Sequence, residues 1–242
     1  MNSQKISNWL WWLFLIWTAI GFWVMPFDIG AAEIKSWIDW LPLQNVLLAV
    51  LRISDALWMV FAAAFTYFYL VRHEGLVVAR RAALIILAGS ALLEWIGVKT
   101  GYPFGPYIYT DRIGTRIFGL PFTIPLAWLV IVACARYTVL TFREHATRWQ
   151  IALGTGLLAV LTDISLEWVA WKIRAYWLWY FPLANTPDWP PLQNYLSWFV
   201  FATLFAWIAF PGARPVGRHW RPVILLAAIN LLFWVTILLR LG

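Results

Sequence analysis

Five charged residues, Arg52, Asp55, Glu94, Asp163 and Glu167, lie inside long apolar runs of the chain. An ionisable side chain within a membrane span costs at least about 2.5–3.5 kcal/mol, so its presence is a functional hypothesis by default. Arg52 and Asp55 are three residues apart, and Asp163 and Glu167 four apart, so each pair shares a helix face. Each also has a plainer reading. Arg52 and Asp55 can form a structural ion pair, and Glu94 and Glu167 can snorkel from helix ends. Asp163 is the deepest, with no lysine or arginine on its own run within reach. In general, a carboxyl removed from water without a counter-ion keeps its proton to higher pH. It can then act as a general acid near neutrality.

Two connections carry aromatic residues beside these carboxyls. The first reads Thr100-Gly101-Tyr102-Pro103-Phe104-Gly105-Pro106-Tyr107-Ile108-Tyr109, and the second Tyr176-Trp177-Leu178-Trp179-Tyr180-Phe181-Pro182. Gly and Pro fix a turned backbone. The rings suit a membrane interface, or a wall that tolerates a cation through its negative ring faces. With 20 Trp, 9 Tyr and 16 Phe in the chain, rings alone do not mark a site.

The elements that must position these residues are membrane helices. The 242-residue chain is 63% hydrophobic and only 12% charged, with a mean hydropathy of +0.73. Several runs reach the ~20 residues that a helical span requires, and backbone groups in lipid must be satisfied internally. The short alternating segments of a β-barrel are absent. The expected fold is an all-α polytopic bundle in one integral-membrane domain, residues 1–242. Its seven spans are expected near 9–27, 45–71, 79–97, 120–140, 150–171, 194–210 and 221–240. The first run is too long for a signal-peptide core and is read as a retained helix.

The formal charge of +7 belongs to short connections, which points to topology rather than to nucleic acid. Lys5, Arg72, Arg80, Arg81, Arg136, Arg143, Arg148, Arg214, Arg218 and Arg221 fall on one side. Lys35, Lys99, Arg112, Arg116, Lys172, Arg174 and Arg240 fall on the other, where Asp28, Glu33 and Asp39 offset Lys35. The N-terminus is therefore expected in the cytoplasm and the C-terminus outside, in the cytoplasmic membrane. This orientation puts all five buried charges at similar depth near the outer surface. Cys134 is the only cysteine, and His73, His145 and His219 sit in basic connectors, where they read as solvated loop residues. No metal site is expected.

An internal repeat is also visible. Leu93-Glu94-Trp95-Ile96 resembles Leu166-Glu167-Trp168-Val169, and Lys99 and Lys172 follow at the same offset. Pro121 precedes Trp128 by the spacing that separates Pro191 from Trp198, and Pro42-Leu43-Gln44-Asn45 matches Pro191-Leu192-Gln193-Asn194. Three parallel helical hairpins plus a final helix would explain the pattern, as in some transporter folds.

The stretch from Glu94 to Tyr109, continuing through Gly119-Leu120-Pro121 and Ala127-Trp128, resembles the carotenoid-biosynthesis membrane protein family, which includes carotenoid 1,2-hydratases. A second block matches at Asp163-Ile164-Ser165-Leu166-Glu167, Trp177-Leu178-Trp179, Pro191-Leu192-Gln193-Asn194 and Trp198. Together the blocks cover the middle half of the chain. The resemblance implies hydration of the terminal carbon–carbon double bond of an acyclic or monocyclic carotenoid, without a cofactor. Protonating that alkene gives a tertiary cation, which water captures. Asp163 or Glu94 is the expected acid, with Glu167 orienting the water. Tyr102, Tyr107 and Trp177 are expected to line the end-group pocket, together with Phe104, Tyr109, Trp128, Asn194 and Trp198. Asp55 with Arg52 would balance its charge. The bilayer and downstream carotenoid-modifying enzymes are the other expected partners.

Two other classes compete. A small integral-membrane carotene cyclase begins with the same protonation but captures the cation with a neighbouring double bond. A transporter or pigment-binding scaffold would suit the repeat and the paired charges. A retinal protein is set aside, because the last run, 221–240, has no lysine for a Schiff base.

Overall fold

A computed structural model describes residues 3–27, 29–180, 188–210 and 217–241. Asp28, Phe181, Pro182 and Arg214, all used in the reading above, lie outside the described residues. Among the described residues, seven helices are long and apolar enough to cross a membrane. They are α1 (Ser3–Val24), α3 (Leu41–Glu74), α4 (Leu76–Thr100), α5 (Thr123–Phe142), α6 (Arg148–Glu167), α7 (Leu192–Ala209) and α8 (Trp220–Arg240). A short helix, α2 (Ala31–Trp37), was not foreseen; at seven residues it is too brief to raise a hydropathy maximum.

The helices are apolar on nearly every face, and their outward residues, such as Leu84, Leu157 and Leu231, are more than half exposed in the isolated chain. That pattern belongs to helices solvated by lipid. α5 is the exception. It is buried continuously from Trp128 to Tyr137, and it packs against α3, α4, α6, α7 and α8 as the central helix of the bundle. Ala133, Cys134 and Ala135 on α5 are small enough to admit close neighbours.

Local signals explain the helix ends. Thr147 accepts from the Gln150 backbone N–H while the Gln150 side chain accepts from the Thr147 N–H, closing a capping box on α6. Gly101, in the left-handed region at φ 74°, ends α4. α1 and α3 are pinned by indole donors, Trp58 to Thr18 at 2.8 Å and Trp17 to the Ser54 carbonyl at 3.0 Å.

Four short strands sit at the end of the bundle where α4 and α6 finish. β1 (Tyr107–Tyr109) pairs antiparallel with β4 (Trp177–Trp179), aligning Tyr107 with Trp179 and Tyr109 with Trp177. β2 (Arg116–Ile117) and β3 (Leu120–Pro121) form a separate hairpin. Backbone bonds from Thr110 to Tyr176 and from Tyr180 to Pro106 extend the β1–β4 pairing at both ends. The loops after α4 and α6 are thereby joined as one platform.

Three sequence expectations are corrected at this level. Asp55 does not pair with Arg52; it binds Arg174 and Tyr176, more than a hundred residues away. His219 is 1% exposed and hydrogen-bonds the Tyr69 hydroxyl at 3.0 Å, and His73 stacks on the same ring. Neither is a solvated loop residue, because α3 and the start of α8 fold over them; His145 is exposed. Arg136, counted as a loop charge, is buried within α5 against Glu74, whose side chain is fully buried.

Candidate active site

Each of the two repeat-related helices delivers one glutamate to the same chamber, and the strand that follows the helix folds back over it. Glu94, near the end of α4, accepts from the hydroxyls of Tyr107 and Tyr109, both at 2.7 Å to Oε2. Its Oε1 accepts from the Trp128 indole at 3.2 Å. Glu167, the last residue of α6, accepts from the indoles of Trp177 and Trp179 at 3.1 and 2.9 Å, again on Oε2. Its Oε1 accepts from the Asn194 amide at 3.1 Å. In both cases alternate residues of a strand serve one oxygen, because side chains two apart share a strand face. The next helix serves the other oxygen.

The antiparallel β1–β4 pair thus sets matching contacts around the two glutamates. Trp128 and Trp198, which the sequence repeat equates, stack with centroids 3.7 Å apart and planes 3° from parallel. Such a ring pair adds about 0.5–1.5 kcal/mol beyond its area burial. Parallel repeats about an axis along the membrane normal have this form. The first copy of the repeat contributes less. Asn45, the counterpart of Asn194, is exposed at the start of α3.

The symmetry fails at one position, and that position carries the third carboxyl. Four residues before Glu167 stands Asp163; four residues before Glu94 stands Ser90. Asp163 is 0% exposed, and its Oδ2 accepts from Asn194 at 2.7 Å. One amide nitrogen therefore holds Asp163 and Glu167 together, with one hydrogen directed to each. Asp163 Oδ1 is buried with no hydrogen-bond partner among the described residues. An indole or amide N–H can only donate, so the oxygens of Glu94 and Glu167 that face them must accept. On Asp163 the oxygen free of any donor among the described residues is Oδ1.

Local backbone features place these groups. Directly after Glu167 the chain forms a π-helical turn, Trp168–Ile173, a widened geometry often found at functional sites. Ala175 then enters the left-handed region at φ 50°, reversing the chain so that Trp177 and Trp179 face back toward Glu167. On the other side Gly97 lies against Tyr107: a Cβ there would stand 2.8 Å from the tyrosine hydroxyl and 3.0 Å from Phe104. Burial, and then the Glu94 charge, raise the phenols of Tyr107 and Tyr109 above their ordinary range, so both remain neutral donors.

The chamber these residues enclose is about 40 Å³, room for water. Its lining includes Glu94, Asp163 and Glu167, and Phe104, Tyr107, Tyr109, Trp128, Trp177, Asn194 and Trp198 of the expected pocket. The structure does not bring the other three expected residues there. Tyr102 is 70% exposed, because its peptide leads into the turn outside the chamber. Arg52 and Asp55 border a neighbouring cavity of about 120 Å³. Sequence reasoning missed Trp179 as a chamber residue, although its alternation with Trp177 was a usable signal. It also missed Ile124, Ala127 and Leu166, which supply apolar walls.

With this geometry in hand, comparison with known proteins is informative. The description "Carotenoid biosynthesis protein" matches residues 54–242, which include every chamber residue. The chain belongs to the carotenoid biosynthesis protein family. It is also 30% identical over 128 residues to bisanhydrobacterioruberin hydratase of Haloarcula japonica, covering 50% of this chain and 42% of that protein. The chain thus matches less than half the length of this relative. No solved structure matches the chain.

Proposed function

We propose that the protein adds water to the terminal carbon–carbon double bond of an acyclic carotenoid end group, giving a tertiary alcohol. The observation that carries this reading is the meeting of Glu94 from α4 with Asp163 and Glu167 from α6 in an aromatic-walled chamber where Asp163 Oδ1 faces no donor among the described residues. The name of the Haloarcula japonica relative supports the same reaction class.

Asp163 transfers a proton from Oδ1 to the less substituted alkene carbon. The electron pair of the double bond forms the new C–H bond, leaving a tertiary cation on the adjacent carbon. The faces of Trp128, Trp198 and Phe104 stabilise that charge, each cation–ring contact contributing about 0.5–2 kcal/mol. Water held by Glu167 attacks the cation. Glu167 takes the proton the water loses and releases it to solvent, and solvent restores the proton of Asp163. The net change is one water added, with no oxidant or reductant. Glu94, held by Tyr107, Tyr109 and Trp128, is a second negative group beside the cation. An orientation with the N-terminus in the cytoplasm puts the chamber near the outer surface, within reach of water.

The test is expression in a lycopene-producing bacterium with mass analysis of the extracted pigment. The wild-type chain is expected to yield products heavier by one water per reacted end, and Asp163→Asn at least a hundredfold less. An isomer of unchanged mass bearing a ring would point instead to cyclisation, and Asp163→Asn and Glu94→Gln variants that left product formation intact while accumulation of a solute fell would point to transport.

A further inference from the structure

The chamber is the innermost of three adjoining cavities. The middle one, about 120 Å³, shares Ile124, Ala127, Leu166 and Trp177 with the chamber. The outer one, about 270 Å³, shares Met25, Asp55 and Trp58 with the middle one. It lies between α1, α2 and α3, and its lining is apolar apart from Ser54 and Asp55. Ile20, half exposed on the lipid-facing side of α1, marks its mouth. α2 covers the cavity by placing Ile34 against it.

We propose that these three cavities form one channel that threads the polyene of the substrate from the bilayer, between α1 and α3, so that its end group reaches the acid chamber first. This rests on the hydration reading for the identity of the occupant. Three observations select a long apolar chain. The chamber is too small to hold more than the reacting end. The cavities are contiguous through shared walls rather than separate. The volume grows with distance from the carboxyls, and the outermost lining is the most apolar. The polar residues along the route are Ser54 in the outer cavity, Arg52, Arg112 and Thr123 in the middle one, and the Arg174–Asp55–Tyr176 cluster at the joint between the two. Its charges satisfy one another, so the channel presents no unpaired carboxylate to the polyene there.

The channel is tested with intact protein in lipid nanodiscs, using lycopene as the probe and the induced circular dichroism of the polyene as the readout. Val50→Trp fills the outer cavity and Ala56→Trp the middle one; Leu157→Trp, on the lipid-facing side of α6, is the control. Each filling variant is expected to weaken polyene binding at least tenfold, and the control by less than twofold. A second measurement avoids bulky substitution: Ser54→Cys is labelled with a maleimide with and without lycopene, Cys134 being fully buried. Bound lycopene is expected to slow labelling at least tenfold. Binding within twofold of wild type in both filling variants overturns the channel. So does labelling that ignores bound lycopene, or an intact protein that binds none. If the polyene binds and is displaced as expected but gains no water, the hydration reading fails while the channel stands. If the filling variants hydrate at the wild-type rate, the channel fails while hydration stands.

Discussion

Gly97→Ala tests whether the donors that hold Glu94 matter to the chemistry, because two effects of opposite sign meet at this residue. Gly97 is helical, and alanine in a helix interior is favoured over glycine by about 0.8–1.0 kcal/mol. The new Cβ, however, would lie 2.8 Å from the Tyr107 hydroxyl and 3.0 Å from Phe104, so the ring of Tyr107 must move. That movement breaks the 2.7 Å bond to Glu94, a hydrogen bond to a charged acceptor worth about 1.5–3 kcal/mol. The balance is a loss of about 1–2 kcal/mol in stability. A comparable loss at the transition state lowers the rate roughly fivefold to thirtyfold, at about 1.36 kcal/mol per factor of ten. Thermal melts in detergent and product formation from lycopene read the two quantities. Tyr107→Phe removes the clashing oxygen, leaving Phe104 at 3.0 Å and Cε1 at 3.4 Å. In that background only the Phe104 contact has to give, and Gly97→Ala is expected to cost clearly less than in the wild type, which makes the pair non-additive. Gly97→Ala that raised stability by a full kcal/mol and retained wild-type activity would refute the reasoning.

Further outcomes follow from other contacts. Arg136→Leu leaves Glu74 buried without its partner and is expected to cost about 3–5 kcal/mol in stability, whereas Arg136→Leu with Glu74→Leu recovers most of it; detergent melts of the three variants check this. Trp198→Leu removes the ring stacked on Trp128 and is expected to lower product formation at least tenfold while leaving the helix content, read by far-ultraviolet circular dichroism, unchanged. The phenols of Tyr107 and Tyr109 are raised, so the folded protein holds protons that the unfolded chain releases above about pH 10. Stability is therefore complete below that pH and falls as pH rises through it, and Tyr107→Phe is expected to reduce the slope in a melting series from pH 9 to 11.

Much of this arrangement is legible from the residues themselves, for particular reasons. The seven long helices follow from the cost of unpaired backbone in lipid, which any run of that length must meet. Glu94 and Glu167 are conspicuous because charge within such a run is expensive, and the repeat that links them reappears as the antiparallel β1–β4 pair and the stacked Trp128 and Trp198. What was not legible depends on tertiary partners. Asp55 has Arg52 one turn away, yet binds Arg174 and Tyr176 across the bundle, since packing rather than spacing decides which cation is nearest. Arg136 and His219 read as loop residues from their basic neighbours, but α5 and α8 carry them inward. Tyr102 sits beside chamber residues in sequence and faces outward in space, because the turn that positions Phe104 and Tyr107 rotates it away. The contrast of Asp163 with Ser90 is present in the aligned repeats; only the geometry gives it meaning, as the point where the cradle around two glutamates gains a third carboxyl.

The most direct measurement is isotopic. Purified protein in lipid vesicles is given lycopene in deuterium oxide enriched with oxygen-18, and the product is analysed by mass spectrometry. Each reacted end is expected to gain one carbon-bound deuterium and one oxygen-18 on the adjacent carbon, with both lost together in Asp163→Asn. A product carrying deuterium without oxygen-18, or oxygen-18 at the wild-type rate in Asp163→Asn, would contradict acid-initiated hydration at this chamber.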